Sequence, residues 1–115
     1  MSSSRFRRLA LAMPGAVEGS HQGHADFRVA NRVFATLGYP DDEWGMVKLT
    51  PEQQSVLVEA EPEIFRPVPG GWGRQGNTNV RLASADQATL ESALTLAWGN
   101  IAPKPKTASR RKATR

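Results

Sequence analysis

Three strand-like segments follow one another with only short links between them, and this succession constrains the fold more than any other feature of the sequence. They cover residues 26–29, 33–39 and 44–49. In the first segment, Phe27 and Val29 share one face while Asp26 and Arg28 point the other way, which is the two-residue period of a half-buried strand.

Two turn signals separate these segments. Asn tolerates the positive φ of tight hairpin turns, so Ala30-Asn31 is predicted as the first turn centre. Pro40-Asp41-Asp42 is the second turn signal. The three strands are therefore predicted to form an antiparallel meander.

A helix at residues 4–13 precedes the strands. Its apolar face repeats at helical spacing and comprises Phe6, Leu9, Ala10 and Met13. Pro14 and Gly15 end it, and residues 19–23 are predicted as an irregular connection.

The clearest local signal marks a second helix, with a hydroxyl cap at Thr50, Pro51 at the first helical position and Gln53 three residues beyond the cap. The helix is limited by Pro62. Its inward residues are predicted to be Val56, Leu57 and Ala60.

Residues 64–68 are predicted as a loop or an edge strand, because Pro67 cannot donate to a sheet ladder. A glycine-rich bend follows at residues 69–73, and residues 77–82 form the last strand. In that strand Val80 and Leu82 point inward, and Asn79 and Arg81 point outward.

Ser84 with Gln87 repeats the capping pattern and opens a final helix. The apolar stripe of this helix is Leu90, Leu94, Ala97, Trp98 and Ile101. The order α-β-β-β-α-β-α predicts an α+β fold, in which an antiparallel β-sheet has helices packed on one side.

The net charge of +4 comes from 15 Lys and Arg against 11 Asp and Glu, and it is unevenly distributed. Residues 103–115 contain no acid, and their cations are Lys104, Lys106, Arg110, Arg111, Lys112 and Arg115. Residues 1–102 hold the other nine cations and all eleven acids, so they carry a formal charge of −2. We predict one domain at residues 1–102 and a disordered basic tail at 103–115, which either binds polyanions loosely or only solubilises the protein.

Residues that the chain lacks exclude several function classes. Without cysteine, disulfides, thiolate zinc sites and cysteine nucleophiles are removed. No window approaches the roughly 18 to 20 apolar residues of a membrane-spanning helix, and the start does not read as a secretory signal. We expect a cytoplasmic protein that needs no cofactor and has no membrane partner.

The pattern H-x-x-H-x-D, formed by His21, His24 and Asp26, lies in a glycine-containing loop. Two imidazoles and a carboxylate suit an open metal site, but a histidine pair outside a helix has no fixed geometry. We favour hydrogen bonds that tie the loop to the sheet and predict no metal site. Ser20 beside His21 lacks a nucleophile-elbow motif, so no catalytic residue is predicted and the protein is not expected to be an enzyme.

Residues 70–76 contain four glycines and an arginine but match neither phosphate-binding glycine motif. A bend is therefore favoured over a phosphate cradle. Trp72 in this bend is predicted to cover the sheet edge, Trp44 to pack on its strand and Trp98 to lie in the core.

Taken in order, these motifs resemble the MmcQ/YjbR-like family of small bacterial proteins. The matching segments span roughly residues 4–104 and are LALAMPG at 9–15, GSH at 19–21, FRVANRVFATL at 27–37, TPE at 50–52, PEIFRPVPGGWG at 62–73, NVRL at 79–82 and AWGNIAPK at 97–104. The resemblance implies a sandwich similar to the frataxin-like fold and a double-wing DNA-binding motif with β-hairpins as wings. The family commonly has Gly-Lys at the hairpin turn, where this chain has Asn31-Arg32, so the cation is retained and the glycine is not.

We therefore predict a protein that contacts the DNA phosphate backbone without sequence choice. The predicted contacts are Arg28, Arg32, Lys48, Arg74 and Arg81 in the body, and Lys104, Lys106, Arg110, Arg111 and Lys112 in the tail. Arg28, Lys48 and Arg81 form a basic stripe if they share the outer face of the sheet. The alternative is that they are scattered solvated charges, partly paired with Asp26 and Glu43.

Residues 18–63 form an acidic middle segment, with nine acids against three cations. The second hypothesis is a non-catalytic adaptor for a protein or a small ligand, using this acidic segment or the loop of Trp72. In either case we expect a monomer or a small homo-oligomer.

Overall fold

The computed structural model describes residues 2–38 and 41–102, in which six strands and four α-helices form. The helices are α1 (Ser3–Leu11), α2 (Pro51–Ala60), α3 (Gly71–Arg74) and α4 (Gln87–Ile101). The strands are β1 (Val17–His21), β2 (His24–Val29), β3 (Arg32–Leu37), β4 (Trp44–Lys48), β5 (Phe65–Pro67) and β6 (Asn77–Arg81). They pair antiparallel in one sheet of order β1-β2-β3-β4-β6-β5, so the predicted α+β fold is confirmed.

The central meander forms as the turn signals predict. Ala30 and Asn31 have φ of 53° and 66°, the left-handed values that a two-residue hairpin turn requires, and they join β2 to β3. β3 then pairs with β4. Tyr39 and Pro40, which belong to the predicted second strand and second turn, lie outside the described residues.

The prediction of an irregular connection at residues 19–23 is wrong, because β1 forms a hairpin with β2 there. Gln22 and Gly23, with φ of 51° and 81°, make its two-residue turn. Periodicity did not reveal β1 because it is an edge strand, exposed along most of its length, and therefore has no apolar alternation. β5 is the edge strand that Pro67 indicated, at the opposite end of the sheet.

One apolar core lies between a face of the sheet and the long helices. The sheet contributes Phe27, Val47 and Val80, and α1 contributes Phe6, all fully buried. The predicted stripe of α4 packs here, with Leu90, Leu94 and Ala97 buried and Trp98 and Ile101 partly buried. The indole nitrogen of Trp98 donates to the Pro14 carbonyl at 2.8 Å, so Trp98 sits at the border of the core.

α2 lies on the same side of the sheet as α1 and α4. Asn100 of α4 donates to Gln53 of α2 at 2.9 Å, and Gln54 donates to the hydroxyl of Thr78 in β6 at 3.1 Å. Thr78 alternates with Asn79 along β6 and so shares the core face with Val80. The long helices therefore cover one face, as predicted.

Two details of the helices differ from the predictions. The capping box of Thr50 and Gln53 is confirmed. The predicted inward direction of Val56 and Ala60 is wrong, because Val56 is 65% exposed and Ala60 is also exposed. The residues of α2 that pack against the core are Leu57 and Val58. For α4 the cap is Asp86, whose carboxylate accepts from the Thr89 amide at 2.8 Å, while Ser84 ends a short 3-10 helix at Leu82–Ser84. Asp and Ser are comparable caps, so the sequence pattern alone could not rank them.

In the described part of the chain, no helix is long and apolar enough to cross a membrane. The predicted basic tail, residues 103–115, lies outside the described residues.

Candidate functional site

The face of the sheet opposite α1, α2 and α4, here called the outer face, carries a continuous row of cross-strand partners. The row joins five strands and reads Asp26, Thr36, Met46, Asn79 and Arg66. The first four of these residues are each no more than 8% exposed. Because side chains alternate along every strand, this row fixes which other residues share the outer face.

Trp44 holds two cations on this face. It lies two residues before Met46 in β4 and is only 6% exposed. The guanidinium carbons of Arg66 and Arg81 lie 4.4 Å and 4.6 Å from the centroid of its ring, within the range of cation–π attraction. Arg81 is the direct cross-strand partner of Trp44. Trp44 therefore packs on its strand, as predicted, but with arginines rather than in the apolar core.

Arg66 and Arg81 have no carboxylate partner among the described residues. The ion pairs there are Arg7 with Glu18, and Asp26 with His21 and Arg28. Neither guanidinium donates a side-chain hydrogen bond within the described ranges, so their donors are available to a ligand while both pack on the indole.

The three cations of the predicted stripe lie on one face of the sheet, but Arg28 is paired with Asp26 there, as the alternative expected. Lys48 lies four residues after Trp44, about 13 Å along β4, and Arg28 lies two residues after Asp26 in β2. Arg28, Lys48 and Arg81 are thus on the outer face together. Arg66 was missed, although its place directly after the apolar Phe65 would have indicated its outward direction once β5 was taken as a strand.

Arg28 differs from the other three cations because it is neutralised. Its Nε and Nη2 donate to the Asp26 carboxylate at 2.7 Å and 3.0 Å. His21 Nδ1 donates to the same carboxylate at 2.6 Å, since a carboxylate can only accept. The hydrogen bond from Arg28 holds the pKa of buried Asp26 below its ordinary value, although burial opposes this, and the contact raises the pKa of Arg28.

The role preferred for His21, tying its segment to the sheet, is confirmed by that bond from β1 to β2. His24 is its cross-strand partner at the hairpin end. No group of three or more His, Asp or Glu side chains within the described ranges is arranged to hold a metal ion.

Asn79 has an unpaired acceptor beneath the cations. Its side chain is 2% exposed, and its Oδ1 accepts no hydrogen bond from the described residues. It is the cross-strand partner of Arg66 and lies two residues before Arg81 on the same face. A buried acceptor without a donor destabilises the fold by roughly 1–3 kcal/mol, so its presence calls for an explanation.

A cleft of about 310 Å³ opens beside Trp44, at the end of the sheet where β4 begins and β6 ends. It is lined by Trp44, Pro62, Glu63, Ile64, Phe65, Arg66, Arg81 and Ser84. Both stacked arginines thus reach its wall, together with one hydroxyl and one carboxylate.

The remaining predicted contacts are not brought together. Arg32 is exposed at the start of β3, next to the turn at Ala30-Asn31, and Arg74 is exposed at the end of α3. The tail cations Lys104, Lys106, Arg110, Arg111 and Lys112 lie outside the described residues.

The glycine-rich segment serves packing rather than a phosphate cradle. A Cβ on Gly73 would lie 1.8 Å from the Val68 carbonyl oxygen, and one on Gly76, whose φ is +111°, would lie 2.0 Å from that of Leu49. Only glycine allows these backbone approaches. Trp72 is 61% exposed, so the prediction that it covers the sheet edge is wrong.

Comparison with known proteins agrees with this architecture. The crystal structure of the Deinococcus radiodurans protein DR2400, which carries the DUF419 domain, is similar with a TM-score of 0.70 and 18% sequence identity, covering 84% of this chain and 75% of that one. At this identity the likeness shows the fold. No curated protein matches the sequence. The YjbR family model matches residues 11–100, most of the chain, and the chain therefore belongs to the YjbR family.

Proposed function

We propose that this protein binds DNA through the phosphate backbone, without sequence choice and without catalysis. The observation that carries the proposal is the placement of three cations with no carboxylate partner among the described residues, Lys48, Arg66 and Arg81, on the outer face of the sheet. Phosphate contacts of this kind supply most of the affinity of non-specific binding.

Part of the acidic balance of the folded part, residues 1–102, lies away from this face, although Glu63 lines the cleft beside Arg66 and Arg81. Glu52 and Glu59 are exposed on α2, which packs against the opposite face of the sheet. Charges separated by more than about 8–10 Å are largely screened at physiological salt, so the local sign of a surface matters more than the total. Arg28 adds little, since Asp26 already neutralises it.

The hairpin of β2 and β3 extends this contact. Its turn presents the exposed Arg32, and the family resemblance implies that this hairpin is one wing of a double-wing motif. In this proposal the six cations of residues 103–115 supply further non-specific attraction.

A binding adaptor for another protein is the second candidate. It is favoured by Trp72, 61% exposed on α3, and Val56, 65% exposed on α2, since large exposed apolar side chains are enriched at interaction sites. In that case the folded part, residues 1–102, would not bind DNA at physiological salt.

The test is fluorescence anisotropy of the full chain with a labelled random-sequence duplex carrying unphosphorylated ends. Arg66→Ala/Arg81→Ala should weaken binding several-fold. The matched control is Arg5→Ala/Arg8→Ala, which removes the same charge from exposed positions of α1, on the other side of the sheet. Equal losses in both variants would show that only total charge matters, and the proposed face would be wrong.

A further inference from the structure

We propose that the cleft beside Trp44 binds a phosphomonoester, the terminal phosphate of a nucleotide or of a phosphorylated DNA end. This goes beyond the proposed function, since contact with the duplex backbone requires no cleft. The proposal stands on three features of the described residues: the paired guanidiniums, the other polar groups of the cleft and the unpaired buried acceptor beside them.

The two guanidiniums are preorganised. Arg66 and Arg81 come from neighbouring strands and are both held against the indole of Trp44, at 4.4 Å and 4.6 Å. Arginine side chains normally lose much rotamer freedom when they bind an anion. Because stacking on the indole already restricts these two side chains, the entropy that they lose on binding is smaller. Both also line the cleft, so their donors are presented at one concave place.

The charge of the pair matches a monoester better than a diester. A phosphomonoester carries about −1.5 to −2 near pH 7 and three acceptor oxygens, whereas each phosphate of a DNA backbone carries one negative charge. The two positive charges of the guanidiniums therefore balance the charge of a phosphomonoester. Arginine also suits this role because its planar fork donates to two oxygens at once.

The rest of the lining favours a phosphate attached to a polar organic group. Ser84 offers a hydroxyl, and the carboxylate of Glu63 is an acceptor that repels a bare anion but accepts from a sugar hydroxyl or an amino group. The cleft, at about 310 Å³, is at the small end of the range of small-molecule sites. Together these features point to a nucleotide-like ligand.

Asn79 supplies the independent observation. Its buried Oδ1 accepts nothing from the described residues, although the donor-rich Arg66 and Arg81 lie at adjacent positions of the same face. The arginines are turned to the indole and the cleft instead of to this oxygen. Such an arrangement suits a face whose donors are kept for a ligand, and stability alone does not account for it.

The experiment follows the side-chain Nε–H signals of the arginines by ¹⁵N NMR and measures affinity by calorimetry, using the full chain. Adenosine 5′-monophosphate should bind and shift the signals of Arg66 and Arg81, while adenosine should not. Arg66→Lys/Arg81→Lys keeps the charge but removes the forks, and should weaken binding about 10-fold or more. Arg5→Ala, which removes an exposed cation of α1 outside the cleft, is the control and should bind like the unaltered chain.

A second arm distinguishes the two sources of the phosphate. Duplexes of one sequence are compared with 5′-phosphate or 5′-hydroxyl ends; tighter binding of the phosphorylated duplex assigns the site to DNA ends, and equal binding assigns it to free nucleotides. If neither adenosine 5′-monophosphate nor the phosphorylated end binds at Arg66 and Arg81, the inference is overturned. The random duplex with unphosphorylated ends then still tests the proposed function separately.

Discussion

Removing residues 103–115 separates the contribution of the folded surface to DNA binding from that of the basic tail. The cut is compatible with the fold, because α4 ends at Ile101 and the amide of Ala102 closes its last turn by donating to the Trp98 carbonyl at 2.8 Å. A chain that ends at Ala102 therefore retains every described helix and strand.

The expected magnitude follows from the number of available cations. The shortened chain presents the exposed Arg32 and, on the outer face, Lys48, Arg66 and Arg81. Each phosphate contact contributes about −0.9 to the slope of log affinity against log salt, so four contacts give a slope of about −3.6, or about 150-fold weaker binding at 200 mM salt than at 50 mM. The full chain, with six further cations, should have a steeper slope.

The assay is anisotropy with a labelled random-sequence duplex at several salt concentrations between 50 and 200 mM. A measurable, salt-dependent affinity of the shortened chain would support phosphate contact by the folded surface. If that chain does not bind at 50 mM salt, or if its slope is near zero, the affinity resides in the tail alone. The function of the folded part should then be sought among protein or small-molecule partners.

Three further predictions concern single residues. Arg32→Ala in the shortened chain should reduce the salt slope by about 0.9, and an unchanged slope would remove the hairpin from the interface. Asp26→Asn should lower the free energy of unfolding by about 2 kcal/mol near pH 7, because the amide cannot accept all three hydrogen bonds. Because the pKa of Asp26 is lowered in the folded state, its carboxylate stabilises the fold above about pH 4, and this stabilisation is lost as pH falls through the folded pKa. Urea unfolding should therefore show that the difference in free energy of unfolding between the two proteins becomes smaller in acid. A difference that stays constant with pH would contradict this reasoning. Gly76→Ala should destabilise the fold by at least about 2 kcal/mol, because its positive φ and the nearby Leu49 carbonyl leave no room for a Cβ. Gly99→Ala, in α4 with open space around it, should stabilise the fold by up to about 1 kcal/mol. Thermal melts of both variants measure these changes, and equal effects would contradict the reasoning.

Much of the fold could be predicted from local signals. The capping box at Thr50, the turn at Ala30-Asn31 and the stripe of α4 each depend on residues close in the chain, whose physics acts before any tertiary contact forms. β1 could not be predicted in this way, because an exposed edge strand has no apolar alternation and exists only through its pairing with β2.

The candidate site was less predictable for the same reason. Arg28, Lys48 and Arg81 were identified as possible neighbours, and pairing with Asp26 was the alternative. Only the register shows that the three cations share a face, and only the contacts show that it is Arg28 that Asp26 neutralises. Arg66 joins the site from a three-residue strand whose place beside β6 depends on the whole sheet.

The sequence by itself determined the fold class, the family and the concentration of positive charge in the last residues, since these follow from periodicity, motif order and composition. The tertiary structure alone decided which cations are available and where they meet. The ionisation and pairing of a side chain depend on neighbours brought from distant segments, and here the pairing of β4, β5 and β6 brings Arg66 and Arg81 to the ring of Trp44.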